Sequence, residues 1–170
     1  ISNNLLETDT IVVNLWSVTS LLHSQPDYTV KTILHTDGTA SMQLPGAVNG
    51  NSYYIAVKHR NHLETWSRLP VLFQDSTDYD FTTNLLKAYD DGVNAPMTLV
   101  DAGKYALYGG DVNQDGTVDA SDMADVDNDI SLFAFGYNIT DVNGDGATDA
   151  SDISVIDNNQ ALFLFYARPY

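Results

Sequence analysis

Two copies of one acidic, twelve-residue segment lie thirty positions apart near the end of the 170-residue chain. They are residues 111–122 (DVNQDGTVDASD) and 141–152 (DVNGDGATDASD), and nine of their twelve positions are identical. Each copy has oxygen-bearing side chains at positions 1, 3, 5, 9 and 12, and a glycine at position 6. Calcium loops have this order of carboxylates and amides, with a backbone carbonyl at position 7 and a glycine at the sharp turn. The sequence therefore predicts calcium binding by both segments.

Surface turns are the alternative to a metal site, because clusters of Asp, Asn and Gly often form solvated turns. A solvated turn, however, has no reason to repeat the same five oxygen positions around the same glycine. Four carboxylates within twelve residues would also repel one another unless a divalent cation neutralised them. Position 12 holds Asp122 and Asp152 instead of the usual Glu. Because Asp is shorter, the following helix is expected to lie closer to the ion.

The repeat continues beyond the two loops. Apolar residues follow each loop at helical spacing, and each predicted helix ends in an apolar tail, residues 132–135 (LFAF) or 162–165 (LFLF). The segments before the loops do not have a helical pattern, so each unit is predicted to be a loop with an exiting helix only. The two units, about residues 111–135 and 141–165, are too small to bury a core alone. We expect them to pack face to face through the Phe-rich tails.

This arrangement resembles type I dockerins, which are duplicated calcium-binding modules that bind cohesins in polysaccharide-degrading complexes. The resemblance covers about residues 109–166 and depends on the paired loops, their spacing and the missing entering helices. It implies two bound Ca²⁺ ions and a cohesin-like or other surface protein as partner, contacted in part by Ser121 and Ser151. The implied calcium ligands are Asp111, Asn113, Asp115, Thr117, Asp119 and Asp122 in the first loop, and Asp141, Asn143, Asp145, Ala147, Asp149 and Asp152 in the second.

The acidic residues are concentrated where the metal sites are predicted. The formal net charge is −16, and residues 111–170 carry 12 acidic residues and one basic residue, Arg168. This balance argues against binding to nucleic acid or to anionic membrane surfaces, both of which attract Lys and Arg. The sequence has no Cys, and no signal or transmembrane segment is evident; its start at Ile1 indicates a piece of a longer protein. Millimolar extracellular calcium is the expected supply for the loops.

The part of the chain before the loops is predicted to be all-β. Its candidate strands are β-branched or alternating runs at residues 10–18, 28–35, 39–44, 52–59, 64–73 and 79–83. Short strands separated by Gly, Asn and Pro favour an immunoglobulin-like or prealbumin-like β-sandwich. We predict a β-sandwich module at residues 1–104 and a dockerin-like module at residues 105–170.

Residues 53–63 (YYIAVKHRNHL) resemble a stretch of the β-sandwich modules that precede dockerin-like repeats in large secreted or cell-surface bacterial proteins. The resemblance implies an extracellular or surface location in a bacterium. Within the stretch, His59, Arg60 and His62 are expected to form an ordered polar corner that hydrogen-bonds to the calcium module. The alternative is a zinc site with Glu64, which requires a bend, because residues 59 and 62 of one strand face opposite sides.

Sugar binding is the competing function for the β-sandwich, since exposed aromatic rings stack on the apolar faces of sugars. The candidates are Trp66, Tyr53, Tyr54 and Tyr79, and Trp66 is preferred because it lies in a polar run. An enzyme is not expected, because neither paired carboxylates flanking a cleft nor a base beside an open metal position are evident. We therefore predict a non-catalytic calcium-binding module for protein docking or calcium-stabilised attachment, with polysaccharide binding by the β-sandwich as the alternative.

Overall fold

The computed structural model of this protein describes residues 7–93 and 95–169. Its N-terminal strands are β1 (Glu7–Trp16), β2 (Tyr28–His35), β3 (Ser52–His59), β4 (His62–Trp66) and β5 (Val71–Leu72). They pair in the order β2-β1-β3-β4, and β5 also pairs with β3. The remaining elements are the strands β6 (Thr98–Asp101) and β7 (Lys104–Ala106) and the helices α1 (Ala120–Ser131) and α2 (Ala150–Gln160). The predicted fold class, mainly β with a small helical C-terminal part, is confirmed.

Strand β1 lies between β2 and β3, and its β-branched run buries side chains on both faces of the sheet. Ile11, Val13 and Leu15 belong to the core on one face. Trp16 packs on the opposite face against Trp66 of β4, with the two ring centroids 5.3 Å apart. Because successive side chains of a strand point to opposite faces, β1 joins two cores.

The core around Ile11 is covered by irregular chain and not by further strands of the sheet. Strands predicted at residues 39–44 and 79–83 are therefore wrong, although Met42 and Phe81 within them pack against this core. The alternating pattern correctly indicated which side chains are buried, but burial does not require strand hydrogen bonds. The predictions at residues 28–35 and 52–59 are confirmed as β2 and β3.

The two calcium-loop units form one small core. Its buried side chains include Val112 and Val118 of the first loop, Val126 of α1 and Ile156 of α2. The backbones of the two units pair reciprocally: the tail after each helix pairs with the loop of the other unit. Isolated bridges link Thr117 to Phe165 and Phe135 to Ala147. The loop of each unit therefore has its pairing partner in the tail of the other unit.

The expectation that the Phe-rich tails pack face to face is wrong. Phe133 and Phe163 are 85% and 83% exposed, and Phe135 is also exposed, whereas Leu164 lies in the core. The tails are extended where they meet the loops, so alternate side chains point outward. Phe133 and Phe163 also adopt left-handed backbone conformations, with φ of 55° and 54°, two and three residues after the ends of α1 and α2. Backbone pairing and the shared core, which includes Leu164, join the units, and the phenylalanines do not.

Equivalent glycines of the two loops give a matched test of this tail-to-loop contact. Gly116 and Gly146 both have φ of +91°, but only at Gly116 would a Cβ collide with a neighbour, the ring of Tyr166. We expect Gly146→Ala to cost about 1–2 kcal/mol of unfolding free energy from backbone strain. Gly116→Ala should cost roughly 1–3 kcal/mol more, because the Tyr166 ring must move. Urea unfolding of both variants in calcium measures the difference, and equal losses would show that Tyr166 does not close the first loop.

Candidate calcium site and its contacts with the sheet

The first loop is folded by short hydrogen bonds from its own backbone to its acidic and amide side chains. Oδ1 of Asn113 accepts from the Asp115 N–H at 2.8 Å, and Oδ1 of Asp115 accepts from the Thr117 N–H at 3.0 Å. Oδ1 of Asp111 accepts a longer bond, 3.4 Å, from the Gly116 N–H. These local bonds are the ones that Asn and Asp form in tight turns. They arrange the oxygens of positions 1, 3 and 5 around one turn.

The aspartate at position 12 closes each loop. Oδ1 of Asp122 accepts from the Val112 and Asn113 N–H groups at 2.7 and 3.1 Å, and its Oδ2 accepts from the Asp119 N–H at 2.9 Å. Asp152 makes the equivalent bonds in the second loop, at 2.7, 3.0 and 2.9 Å. Both carboxylates are completely buried. Position 12 therefore joins the start of the loop to the first turn of the helix.

The aspartate at position 9 caps the following helix. Asp119 accepts from the Ser121 N–H at 2.8 Å, and Asp149 accepts from the Ser151 N–H at 2.7 Å. Together with position 12 this forms a capping box at the start of α1 and of α2. The same residues that are predicted to bind calcium therefore also start the helices.

Burial and mutual repulsion disfavour the ionised form of the inner carboxylates of the first loop, Asp111 and Asp122. Burial, with the nearby charges of Asp122 and Asp115, raises the pKa of Asp111 to about 6. Burial also raises the pKa of Asp122, although three backbone N–H groups act in the opposite direction. Asp115 is exposed, and a hydrogen bond from the Thr117 hydroxyl lowers its pKa. The inner carboxylates of this loop thus lack a compensating positive charge.

The carboxylate and amide side chains of both loops are of the types that calcium prefers as ligands. In the described part of the chain, the ion pairs join Lys58 to Glu64, and His59 and Arg60 to Asp9, so none neutralises a loop carboxylate. Buried carboxylates without a cation are costly, and hard oxygen donors are the ligands that calcium prefers. Within residues 7–93 and 95–169, no three acidic or histidine side chains are arranged so that they alone could hold a metal ion. A loop of this type also uses an amide and a backbone carbonyl, which such a set of side chains omits.

Ser121 and Ser151, predicted to contact a partner, are exposed at the surface of the loops. Their hydroxyls are nevertheless used within the loops. Oγ of Ser121 donates to Asp119 at 2.6 Å and accepts from the Asn113 amide at 2.9 Å. Oγ of Ser151 has the same two kinds of partner in the second loop. Each serine therefore connects the side chains at positions 3 and 9.

The turn between β3 and β4 connects the sheet to both loops. Asn61 is completely buried there. Its carbonyl accepts from the Gly110 N–H at 2.7 Å, next to the first loop. Its Nδ2 donates to the carbonyls of Ile139 and Asp141, at 3.0 and 2.9 Å, where the second loop begins. The side chain of Leu63 extends this contact into the core of the calcium-loop units.

A polar cluster around Asp9 lies beside this turn. Asp9 accepts from His59 Nε2 and Arg60 Nε, both at 2.8 Å, and from the Tyr137 hydroxyl at 2.6 Å. Burial opposes ionisation of Asp9, but the hydrogen bonds from Tyr137 and Arg60 outweigh it and lower its pKa to about 2. The Arg60 guanidinium also lies over the Tyr137 ring, 4.7 Å from its centroid. The cluster therefore contacts the calcium-loop half, as expected for a polar corner.

The two histidines of the corner meet because they lie opposite each other across the β3–β4 hairpin. Their Nδ1 atoms are 2.7 Å apart, so one nitrogen carries a proton and the other accepts it. Burial, followed by the charges of His59 and Arg60, lowers the pKa of His62 to about 3, which keeps its ring neutral. Glu64 instead bonds Lys58 and the Trp66 indole. The zinc site with Glu64 is therefore not assembled.

Trp66 is 1% exposed, so the expectation that it offers an exposed ring to a sugar is wrong. Its polar sequence neighbours do not indicate this burial, because Trp66 packs against Trp16 and Ala56, which belong to other strands of the sheet. Trp66 and Trp16 instead line one side of a cavity of about 250 Å³. The first calcium loop and Tyr166 form the other side.

Sequence reasoning did not identify three residues that connect the halves, namely Asp9, Asn61 and Tyr137. Asp9 and Tyr137 are separated by 128 positions, and neither belongs to a motif. Asn61 lies within the stretch around His59, but nothing in its sequence context indicates a partner 80 positions away.

Comparison with known families supports the interpretation of the loops. Residues 109–160 match the family model described as dockerin type I domain. The C-terminal module is dockerin-like. A dockerin module is a non-catalytic module that binds calcium and docks to a protein. The match covers both loops and both helices of this chain, but less than a third of its length. No curated protein and no solved structure matches the chain.

Neither helix of the dockerin-like module has the length and apolar character to cross a membrane, and the same holds for the rest of the described chain.

We expect calcium removal to unfold at least the dockerin-like module, because the buried Asp111 and Asp122 would then repel each other without compensation. Circular dichroism and melting in calcium and in chelator measure this. Helical signal and melting temperature should both fall in chelator and recover when calcium is restored, whereas magnesium should restore less. Unchanged melting in chelator would contradict a structural role for calcium.

Proposed function

We propose that this chain is the calcium-loaded docking part of a larger secreted or surface-attached bacterial protein. In this proposal each loop binds one Ca²⁺ ion through the oxygens of positions 1, 3, 5, 7, 9 and 12. The dockerin match and the equivalent closure of both loops by Asp122 and Asp152 support two sites. The partner is a cohesin-like protein, and the chain itself performs no catalysis.

The observation that carries this proposal is a duplicated apolar surface beside the loops. Phe133 and Phe163 occupy equivalent positions after α1 and α2, and both side chains are exposed. Leu132 and Leu162 lie next to them and are also exposed. Paired aromatic and aliphatic side chains of this kind are typical of protein contact surfaces. Calcium would support these surfaces indirectly, because the loops start the helices that end in them.

The charge of the helices indicates the kind of partner surface. Asp125, Asp127 and Asp157 are exposed on α1 and α2, and Arg168 is the module's one Lys or Arg. A partner that covers Phe133 or Phe163 would therefore present apolar side chains surrounded by Lys and Arg. The acidic faces of α1 and α2 would also repel a second copy of this chain.

Docking is tested by capture of secreted and surface proteins of the source organism on the calcium-loaded chain, followed by elution with chelator. We expect a cohesin-like protein in the eluate. The double variant Phe133→Ala/Phe163→Ala should reduce capture at least about tenfold, since buried aromatic contacts dominate many interfaces. Leu69→Ala, an exposed apolar residue of the sheet half, is the matched control. Ser121→Ala/Ser151→Ala is less informative, because the serines also hold the loops.

An eluate without a cohesin-like protein, from bait that calcium still stabilises, would contradict docking. Equal capture by the phenylalanine variant would place the contact elsewhere on the module.

Polysaccharide binding is a second candidate, favoured by the cavity of about 250 Å³ between the sheet and the first loop. The lining of this cavity includes the charged side chains of Lys58, Glu64 and Arg168 and the aromatic rings of Trp16 and Tyr166. Trp16 is only 8% exposed and its Nε1 is buried, so the partly exposed Tyr166 ring is the aromatic face on which a sugar would stack.

Calorimetry of the unmodified chain in calcium with soluble oligosaccharides and polysaccharides tests this candidate. Absence of binding by the unmodified chain to a panel of soluble polysaccharides would remove the candidate.

A further inference from the structure

We propose that Asn61 is a positioning residue for calcium, and that through it calcium binding and attachment of the dockerin-like module to the sheet stabilise each other. This coupling does not depend on a docking partner. It concerns what holds the two halves of this chain together.

Asn61 uses its backbone carbonyl and both polar atoms of its side chain at the junction. Its backbone carbonyl and its Nδ2 bond the calcium-loop half, at 2.7 Å to the Gly110 N–H and at 2.9 Å to the Asp141 carbonyl. Its Oδ1 lies 2.9 Å from Nδ1 of His62 and 3.1 Å from Nδ1 of His59, on the sheet side. A completely buried amide with these partners fixes the relative position of both halves.

The contacts fall at the entrances of both loops. Gly110 directly precedes Asp111, and Asp141 is itself position 1 of the second loop. Asp111 and Asp141 are 3% and 2% exposed, so their carboxylates can reach an ion only where the backbone places them. One residue of the β3–β4 turn therefore sets the backbone position at which each proposed ion meets its first ligand.

The surrounding contacts make the junction cooperative. The Leu63 N–H donates to the Tyr108 carbonyl at 2.9 Å, and the Leu63 side chain lies in the core of the module. Nδ2 of Asn159, near the end of α2, donates to the Gly109 carbonyl at 2.8 Å. Residues 108–110 are thus held from the sheet on one side and from the second helix on the other. A shift of either loop entrance would disturb these bonds together.

Linkage makes the effect reciprocal. If the attached sheet raises calcium affinity, calcium must strengthen the attachment by the same factor. Without calcium, the inner carboxylates of the first loop repel one another, and this repulsion acts next to Gly110. The junction should therefore loosen before the remote pairing of β1 with β2.

Asn61→Ala tests the proposal, with Asn14→Ala as the matched control. Asn14 is also a buried asparagine, but its side chain accepts from Thr29 within the sheet. We expect Asn61→Ala to weaken calcium binding about tenfold in calorimetry. Its loss of melting temperature should be larger in calcium than in chelator. Asn14→Ala should lower the melting temperature equally in calcium and in chelator, and it should keep its calcium affinity within about twofold.

If Asn61→Ala lowers the melting temperature equally in calcium and in chelator and leaves the calcium affinity unchanged, Asn61 only stabilises the fold and the coupling is wrong. Hydrogen exchange of the unmodified chain keeps the proposal testable if the variant does not fold. On calcium removal, the amides of Gly110 and Leu63 should lose protection while those of Val13 and Val30, paired between β1 and β2, retain it. Unchanged protection at Gly110 and Leu63 would overturn the coupling.

Discussion

The buried carboxylate at the end of each loop is the interaction on which the C-terminal half depends. Asp122 and Asp152 each accept three backbone N–H groups, which connect the first residues of the loop to the first turn of the helix. A glutamate could reach an ion from farther away, but the shorter aspartate keeps the helix close to the loop. The short side chain thus serves the backbone and the proposed metal site at the same time.

The two loops are nearly identical in sequence but lie in different surroundings. Tyr166 covers Gly116 of the first loop, and the cavity beside Trp16 lies next to it. Among the described residues, no atom lies within 4 Å of the position that a Cβ would take at Gly146. The surroundings, and not the ligand set, therefore distinguish the two calcium loops.

Local chemistry explains what the sequence could predict. The loops and the helices that follow were predictable because their turns are formed by side chains two or three positions from the backbone groups they bind. The strands at Tyr28–His35 and Ser52–His59 were predictable from alternation. Alternation failed for residues 39–44 and 79–83 because it reports buried side chains and not hydrogen-bonded neighbours. The roles of Asp9 and Asn61 could not be predicted, since each depends on a partner that only the folded chain brings close.

The exchange of tails between the two loop units has a consequence for how such a module can arise. A single unit would leave the edge of its loop without a tail, and it could obtain one only from a second molecule. Two units in one chain make that contact internal, because the five residues between Phe135 and Asp141 keep them at high effective concentration. Gene duplication would in this way turn a symmetric dimer, stable only above a certain protein concentration, into a monomer whose stability does not depend on dilution.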